Sequence, residues 1–296
     1  MSRGIGEIGA VAELPESVAF LAALVTTLGD VWFVFLFLGA LYWFGPAIPG
    51  PVSLPRARAA FAIALAFGGL AITTALKELF ALPRPPGAAE PAGAGVVPDV
   101  LLPLYAEIGA ATGYGFPSGH SVSAVVVYGG LALLLGSRRG YATAGAFVVL
   151  LPLSRIALGV HYLVDTLAGL ALGGAYLAVT YRLGERGSNP GRALTLALVA
   201  ALAGAAVGYT TDTMLALGGA LGARMAWGIT GAAIADGPAT RIGGAVSAVV
   251  GLAFGGVFAL VYVLEVPPYV AFISMFVAVG GIVAAPLAGE SLARRT

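Results

Sequence analysis

The sequence predicts an all-α fold, a polytopic bundle of membrane-spanning helices, and three observations carry that reading. Of the 296 residues, 59% are hydrophobic and only 10% charged, whereas a soluble globular domain is roughly 25% charged. The mean hydropathy of +0.97 is too high for a chain whose surface faces water. The apolar residues fall in runs of about 18 to 25, long enough to cross a hydrocarbon layer about 30 Å thick as a helix. No water inside that layer can take up backbone groups, so each run must close its own hydrogen bonds, and a helix does this.

Residues 18–44 form the first predicted span. A Pro- and Gly-rich turn over 45–55 leads to Arg56 and Arg58, and residues 59–80 are the second span. The stretch 81–116 is the longest interruption, and 99–111 within it fits a short interfacial helix. The third span, 118–135, ends in the polar turn Ser137-Arg138-Arg139-Gly140. Residues 141–158 and 162–181 are the fourth and fifth, and a charged loop over 182–192 precedes the sixth, 193–209. Beyond it, 213–235 is apolar but Gly-rich with Arg224 near its middle, and reads as a span or as a re-entrant segment. Residues 243–264 and 268–287 read as two further spans, nine in all. The chain thus divides into 1–209 and a C-terminal membrane segment, 210–296, of about three helices.

Gly218, Gly222, Gly251 and Gly255 permit close helix contact, either inside one protomer, the favoured reading, or between copies in a homo-oligomer. Arg224 is an intramembrane cation, for which Asp212 and Asp236 are the candidate partners.

Charge sets the orientation. Arg56 and Arg58, then Arg138 and Arg139, then Arg182, Arg186 and Arg192 follow the first, third and fifth spans. The positive-inside rule makes those loops cytoplasmic, so the loops after the second and fourth spans lie outside. Residues 1–16 carry Glu7, Glu13 and Glu16 in place of a basic n-region, so the first span is expected to stay in the membrane. The net charge of +1 gives no sign of a nucleic-acid partner. With no cysteine, a disulfide framework and thiolate metal sites are excluded.

Three polar islands interrupt the apolar text. Lys77 to Pro85 closes the second span, Pro117-Ser118-Gly119-His120 opens the third, and Ser154-Arg155 with His161 and Asp165 crosses from the fourth to the fifth. The predicted topology puts all three at one membrane face. Lys77, Arg84 and Arg155 are cations able to hold a doubly charged phosphate, arginine as a planar fork and lysine as a point charge. Ser118 and Gly119 open a helix whose free N–H groups favour an anion. His161 and Asp165 are four apart; on a helix they share a face, and the carboxylate can hold Nδ1–H, leaving Nε2 as a nucleophile. His120, with an ordinary pKa near 6.5, suits a general acid. Taken singly, each has a plainer reading: Lys77 as a snorkelling residue, Ser118-Gly119 as a helix cap, His161 and Asp165 as a structural pair.

Together the islands resemble the three-part signature of the type 2 phosphatidic acid phosphatase family: Lys, six residues, Arg-Pro; then Pro-Ser-Gly-His; then Ser-Arg, five residues, His, three residues, Asp. Lys77, Arg84 and Pro85, Pro117 to His120, and Ser154, Arg155, His161 and Asp165 fill every position. The resemblance covers about 18–209 and implies a six-helix phosphatase core, with 210–296 outside it. It implies that His161 attacks phosphorus to form a phosphohistidine and that His120 protonates the leaving group. Asp165 then orients His161, and Lys77, Arg84, Ser118, Gly119 and Arg155 hold the phosphoryl oxygens. It also implies that no metal or other cofactor is used.

The expected partner is a phosphorylated membrane lipid, a phosphatidate-like lipid or a polyprenyl phosphate or diphosphate, met at an extracytoplasmic site. Phosphotransferases with another acceptor share the signature. So do vanadium-dependent haloperoxidases, which are typically soluble, against nine predicted spans. A non-catalytic lipid-binding or transport role is disfavoured because both histidines and Asp165 are intact.

Overall fold

The structure, a computed structural model, describes residues 3–50, 53–237 and 239–294. It is 79% helical, with no strand among the described residues. The order is α1 (Glu7–Ala12), α2 (Glu16–Thr26), α3 (Val31–Phe44), α4 (Arg56–Phe80) and α5 (Leu102–Gly109). α6 (Gly119–Ser123) runs through a π-helical stretch (Ala124–Gly129) into α7 (Gly130–Leu135). Then come α8 (Arg138–Ala157), α9 (Leu163–Leu183), α10 (Pro190–Val207), α11 (Thr211–Ala235), α12 (Arg241–Val263) and α13 (Pro268–Ala293).

Six of these helices are long and apolar enough to cross a membrane: α4, α8, α9, α10, α12 and α13. α2 and α3 make a seventh if the bent pair counts as one span. The protein is therefore multi-pass, but the nine-span expectation needs correction. All nine apolar stretches are helical, yet Gly119–Leu135 is too short to count. α11 has 25 residues, but its glycines, Asp212 and Arg224 dilute its apolar character.

The first predicted span is also not continuous. It breaks at Asp30, whose backbone is extended (φ −67, ψ 146), and its halves meet at 49°. A side chain on Gly29 would come within 2.6 Å of the His120 ring, so the break is packed directly on that residue.

α4 is the central post. In its apolar window 83% is buried, against 22% for α12 and 33% for α9 and α10. Phe61, Ala62, Ala64 and Leu65 on α4 are sealed completely, as expected for a helix ringed by others, while the outer helices leave apolar faces to lipid. α10, α11 and α3 pack on α4, and α12 and α11 pack on α13.

Gly218 and Gly222 of α11 sit against the backbone carbonyls of Phe272 and Phe276 on α13, and Gly251 sits against the Trp43 ring. These three glycines serve packing inside one protomer, whereas Gly255 meets nothing within 4 Å. At the Arg56 end of α4, Arg56 donates to Glu290 of α13 at 2.6 Å, with both side chains buried. Glu290 also accepts from the Thr240 N–H at 3.1 Å and the Thr240 hydroxyl at 3.0 Å.

Candidate active site

The three islands meet at the other end of α4. Gly169 of α9 makes the meeting close: a Cβ there would stand 2.6 Å from the carbonyl oxygen of Ser118. The Ser118 N–H donates to the Asp165 carbonyl at 3.0 Å, which ties the start of α6 to the first turn of α9.

His161 does not lie on α9 as the four-residue spacing suggested. It precedes the helix, in a link that turns at Gly159 (φ +68). Asp165 has a capping duty at the start of α9, its Oδ2 accepting the Tyr162 N–H at 3.1 Å. The two side chains still face each other, with His161 Nδ1 3.5 Å from Asp165 Oδ2. That is an ion-pair distance and longer than a formed hydrogen bond, and Nδ1 is buried without a hydrogen-bond partner.

The other imidazole nitrogen is settled by Arg84. Its Nη1 lies 3.0 Å from His161 Nε2 and donates to the Val160 carbonyl at 3.0 Å, while Nε donates to Thr112 at 2.8 Å. A guanidinium can only donate, so Nε2 is the acceptor and the ring proton sits on Nδ1, facing Asp165. Burial first, then the charges of Arg155, Arg84, Lys77 and His120, hold the His161 pKa well below the ordinary 6.5. The nitrogen that carries a lone pair is thus kept unprotonated at neutral pH. Burial also lowers Arg84 to about 10, against an opposing pull from Asp165, so it stays cationic.

Arg155 is buried and donates through Nη1 to the Thr26 hydroxyl at 3.0 Å. Lys77 feels the charges of Arg84, Arg155 and Asp165, which places it in the same cluster. The Ser118 hydroxyl and Arg155 Nε are buried donors without a hydrogen-bond partner. Gly119 opens α6, and a Cβ on it would come within 3.3 Å of Thr73. All eight predicted residues are therefore gathered at one end of the bundle.

The islands did not reveal three further participants. Asp30 lies 2.9 Å from Nε2 of His120, and its signal was a lone carboxylate inside an apolar run. Thr26, one turn earlier, gave none. Arg3 reaches in from the N-terminal segment: its Nη2 is 3.2 Å from Asp165 Oδ1 and donates to the Pro83 carbonyl at 2.8 Å. Its guanidinium also lies over the rings of Tyr162 and Phe116, 5.2 and 5.9 Å from their centroids. Glu7 of α1 accepts the Leu163 N–H at 3.0 Å, so both ends of this short segment rest on the start of α9.

A multi-pass helical bundle thus gathers four cations, Lys77, Arg84, Arg155 and Arg3, two imidazoles and two carboxylates, Asp165 and Asp30, at one end. The PAP2 superfamily pattern matches residues 57–187. Phosphatidylglycerophosphatase B of Bacillus subtilis is 36% identical over 82 residues, 25% of this chain and 40% of that protein. The decaprenylphosphoryl-5-phosphoribose phosphatase of Mycobacterium tuberculosis is 32% identical over 144 residues, 48% of this chain and 71% of that protein. No solved structure matches. The chain belongs to the PAP2 superfamily.

Proposed function

We propose that this protein is a membrane-embedded lipid phosphate phosphatase acting through a phosphohistidine. The observation that carries the reading is the Arg84–His161–Asp165 arrangement, which supports a neutral imidazole whose Nε2 lone pair faces a guanidinium, in a cluster where Arg155 Nε and the Ser118 hydroxyl are buried donors without a partner. The named substrates of the relatives, a phosphatidylglycerophosphate and a decaprenyl-linked phosphoribose phosphate, fit a phosphomonoester or diphosphate on a lipid.

In this reading a phosphoryl group enters among Lys77, Arg84, Arg155 and the Ser118–Gly119 helix start. Arg84 passes from Nε2 to a phosphoryl oxygen. Nε2 then attacks phosphorus, the bond to the leaving oxygen breaks, and that oxygen takes the electron pair together with a proton from His120. Asp30 holds Nε2 of His120, so Nδ1 is the nitrogen that transfers the proton. Asp165 stabilises the cationic imidazole that follows. A water then attacks phosphorus, giving its proton to His120, and the P–N bond breaks to release phosphate. The cations stabilise charge in both transition states in a site shielded from bulk water.

In this reading the site faces the extracytoplasmic side, an orientation supported by the arginines that follow the first, third and fifth apolar stretches, and it belongs to a unit of residues 1–209 with 210–296 as an attached membrane segment. The test is phosphate release by purified protein in detergent with EDTA, wild type beside His161→Ala. The substrates are phosphatidate, a polyprenyl diphosphate and a water-soluble ester. Release from a lipid by wild type alone supports the reading. Loss of wild-type activity in EDTA refutes its metal-free form. No release from any substrate turns the assignment to a phosphotransferase.

A further inference from the structure

Arg224 lies at the middle of α11, and the structure corrects the partner expected for it. Among the described residues it forms no ion pair, with Asp212, Asp236 or any other carboxylate. Its Nε donates instead to the Thr195 hydroxyl of α10 at 2.9 Å, and Thr195 in turn donates to the Gly191 carbonyl at 2.9 Å. One neutral oxygen for a five-donor cation leaves the charge uncompensated inside an apolar surface.

The depth of this contact follows from α10. Gly208, past its far end, packs on Glu78 beside Lys77, so α10 ends at the candidate active site and begins, at Pro190, on the opposite face. Thr195 is five residues in, about 7 Å from that face. The guanidinium therefore sits just below head-group level, where a long cationic side chain comes to rest. Trp227 flanks it, packed beside Gly191 and Gly231, and tryptophan is the residue of the membrane interface. Gly228 leaves room for the guanidinium: a Cβ there would stand 2.8 Å from Arg224 Nη1. Arg192 at the rim is spent on Glu185, at 2.7 Å.

We propose that the surface where α10 meets α11, at Arg224, Thr195, Trp227 and the exposed backbone of Gly228, binds the phosphodiester of an anionic phospholipid in the leaflet opposite the His161 site. The planar fork of Arg224 suits two phosphate oxygens. The absence of a neighbouring carboxylate favours a head group that brings no ammonium of its own. This lipid is a resident ligand and not a substrate, because the stretch of α10 from Thr195 to Val207, about 18 Å at 1.5 Å per residue, separates it from the His161 cluster. It would join the last core helix to the C-terminal segment.

The test reconstitutes full-length protein in nanodiscs of phosphatidylcholine with or without phosphatidylglycerol, and counts retained lipids by native mass spectrometry. Wild type should hold one phosphatidylglycerol in preference to phosphatidylcholine. Arg224→Gln should lose that preference about ten-fold, the scale of one charge-assisted contact, and Arg224→Lys should keep part of it. Gly228→Leu should block the site with the arginine intact, and it replaces Arg224→Gln if that variant does not accumulate. Unchanged preference in Arg224→Gln or Gly228→Leu overturns the proposal. So does equal retention of the two lipids by wild type, or displacement of phosphatidylglycerol by inorganic phosphate.

Discussion

Asp30 and His120 are 90 residues apart in the chain and 2.9 Å apart in space. The first span breaks in two at Asp30, and the residue before it, Gly29, leaves room for the imidazole. A helix interrupted inside a membrane leaves backbone groups without helical partners, so the break is a standing expense that His120 explains. Asp30→Asn should lower kcat about 10- to 100-fold, part of the range that general acid catalysis supplies, with little change in KM. Gly29→Ala should reproduce much of the loss by displacing the ring. Wild-type kcat in Asp30→Asn would remove Asp30 from the mechanism.

Asp165→Asn keeps the size of the side chain and removes the charge facing His161 Nδ1. Turnover should fall about 10²–10⁴-fold, the scale seen when a carboxylate orienting an imidazole is neutralised. The thermal midpoint should fall only slightly, since an amide oxygen still accepts the Tyr162 N–H. A rate near wild type would make the pair structural.

Arg3 and His161 address the same carboxylate, so a double-mutant cycle separates tuning from packing. Arg3→Gln should change kcat several-fold in the native background and have no effect in Asp165→Asn, because coupled residues do not add. Additive effects in the two backgrounds would show that Arg3 only holds the N-terminal segment in place.

The buried His161 should resist protonation. The chain has two histidines, so His120→Asn leaves one imidazole to follow by 15N NMR. It should remain neutral below the ordinary 6.5, where a free imidazole takes up a proton, because burial and the neighbouring cations disfavour its charged form. The sign for stability follows: below 6.5 the unfolded chain takes up a proton that the folded chain refuses. This group's share of stability is thus complete above 6.5 and is lost as the pH falls. The thermal midpoint should drop on acidification, and less steeply in His161→Gln.

The eight motif residues were legible because each island is a polar interruption in apolar text and its internal spacing is a local property. What escaped were partners met only in three dimensions. Asp30 looked like a flaw in a span, since nothing near it in sequence names His120. Arg3 lay in a segment read for its acidic residues. The helix expected to carry both His161 and Asp165 starts between them, because Asp165 caps it. The partner of Arg224 came from α10 and not from the carboxylates on either side of it. The span count was overstated on two grounds: Gly119–Leu135 is too short, and α11, though 25 residues long, is not apolar enough.

The pair between Arg56 and Glu290 joins residues 234 positions apart. A ribosome adding about 5–20 residues per second needs roughly 10 to 50 seconds to pass from one to the other. Throughout that interval the central post of the bundle is in the bilayer without the α13 carboxylate that Arg56 meets in the finished fold. Docking of the last helix is therefore what closes this contact on the first-formed core, and a chain arrested before Glu290 would hold every residue of the three polar islands while the Arg56 end of the central post still lacked that carboxylate.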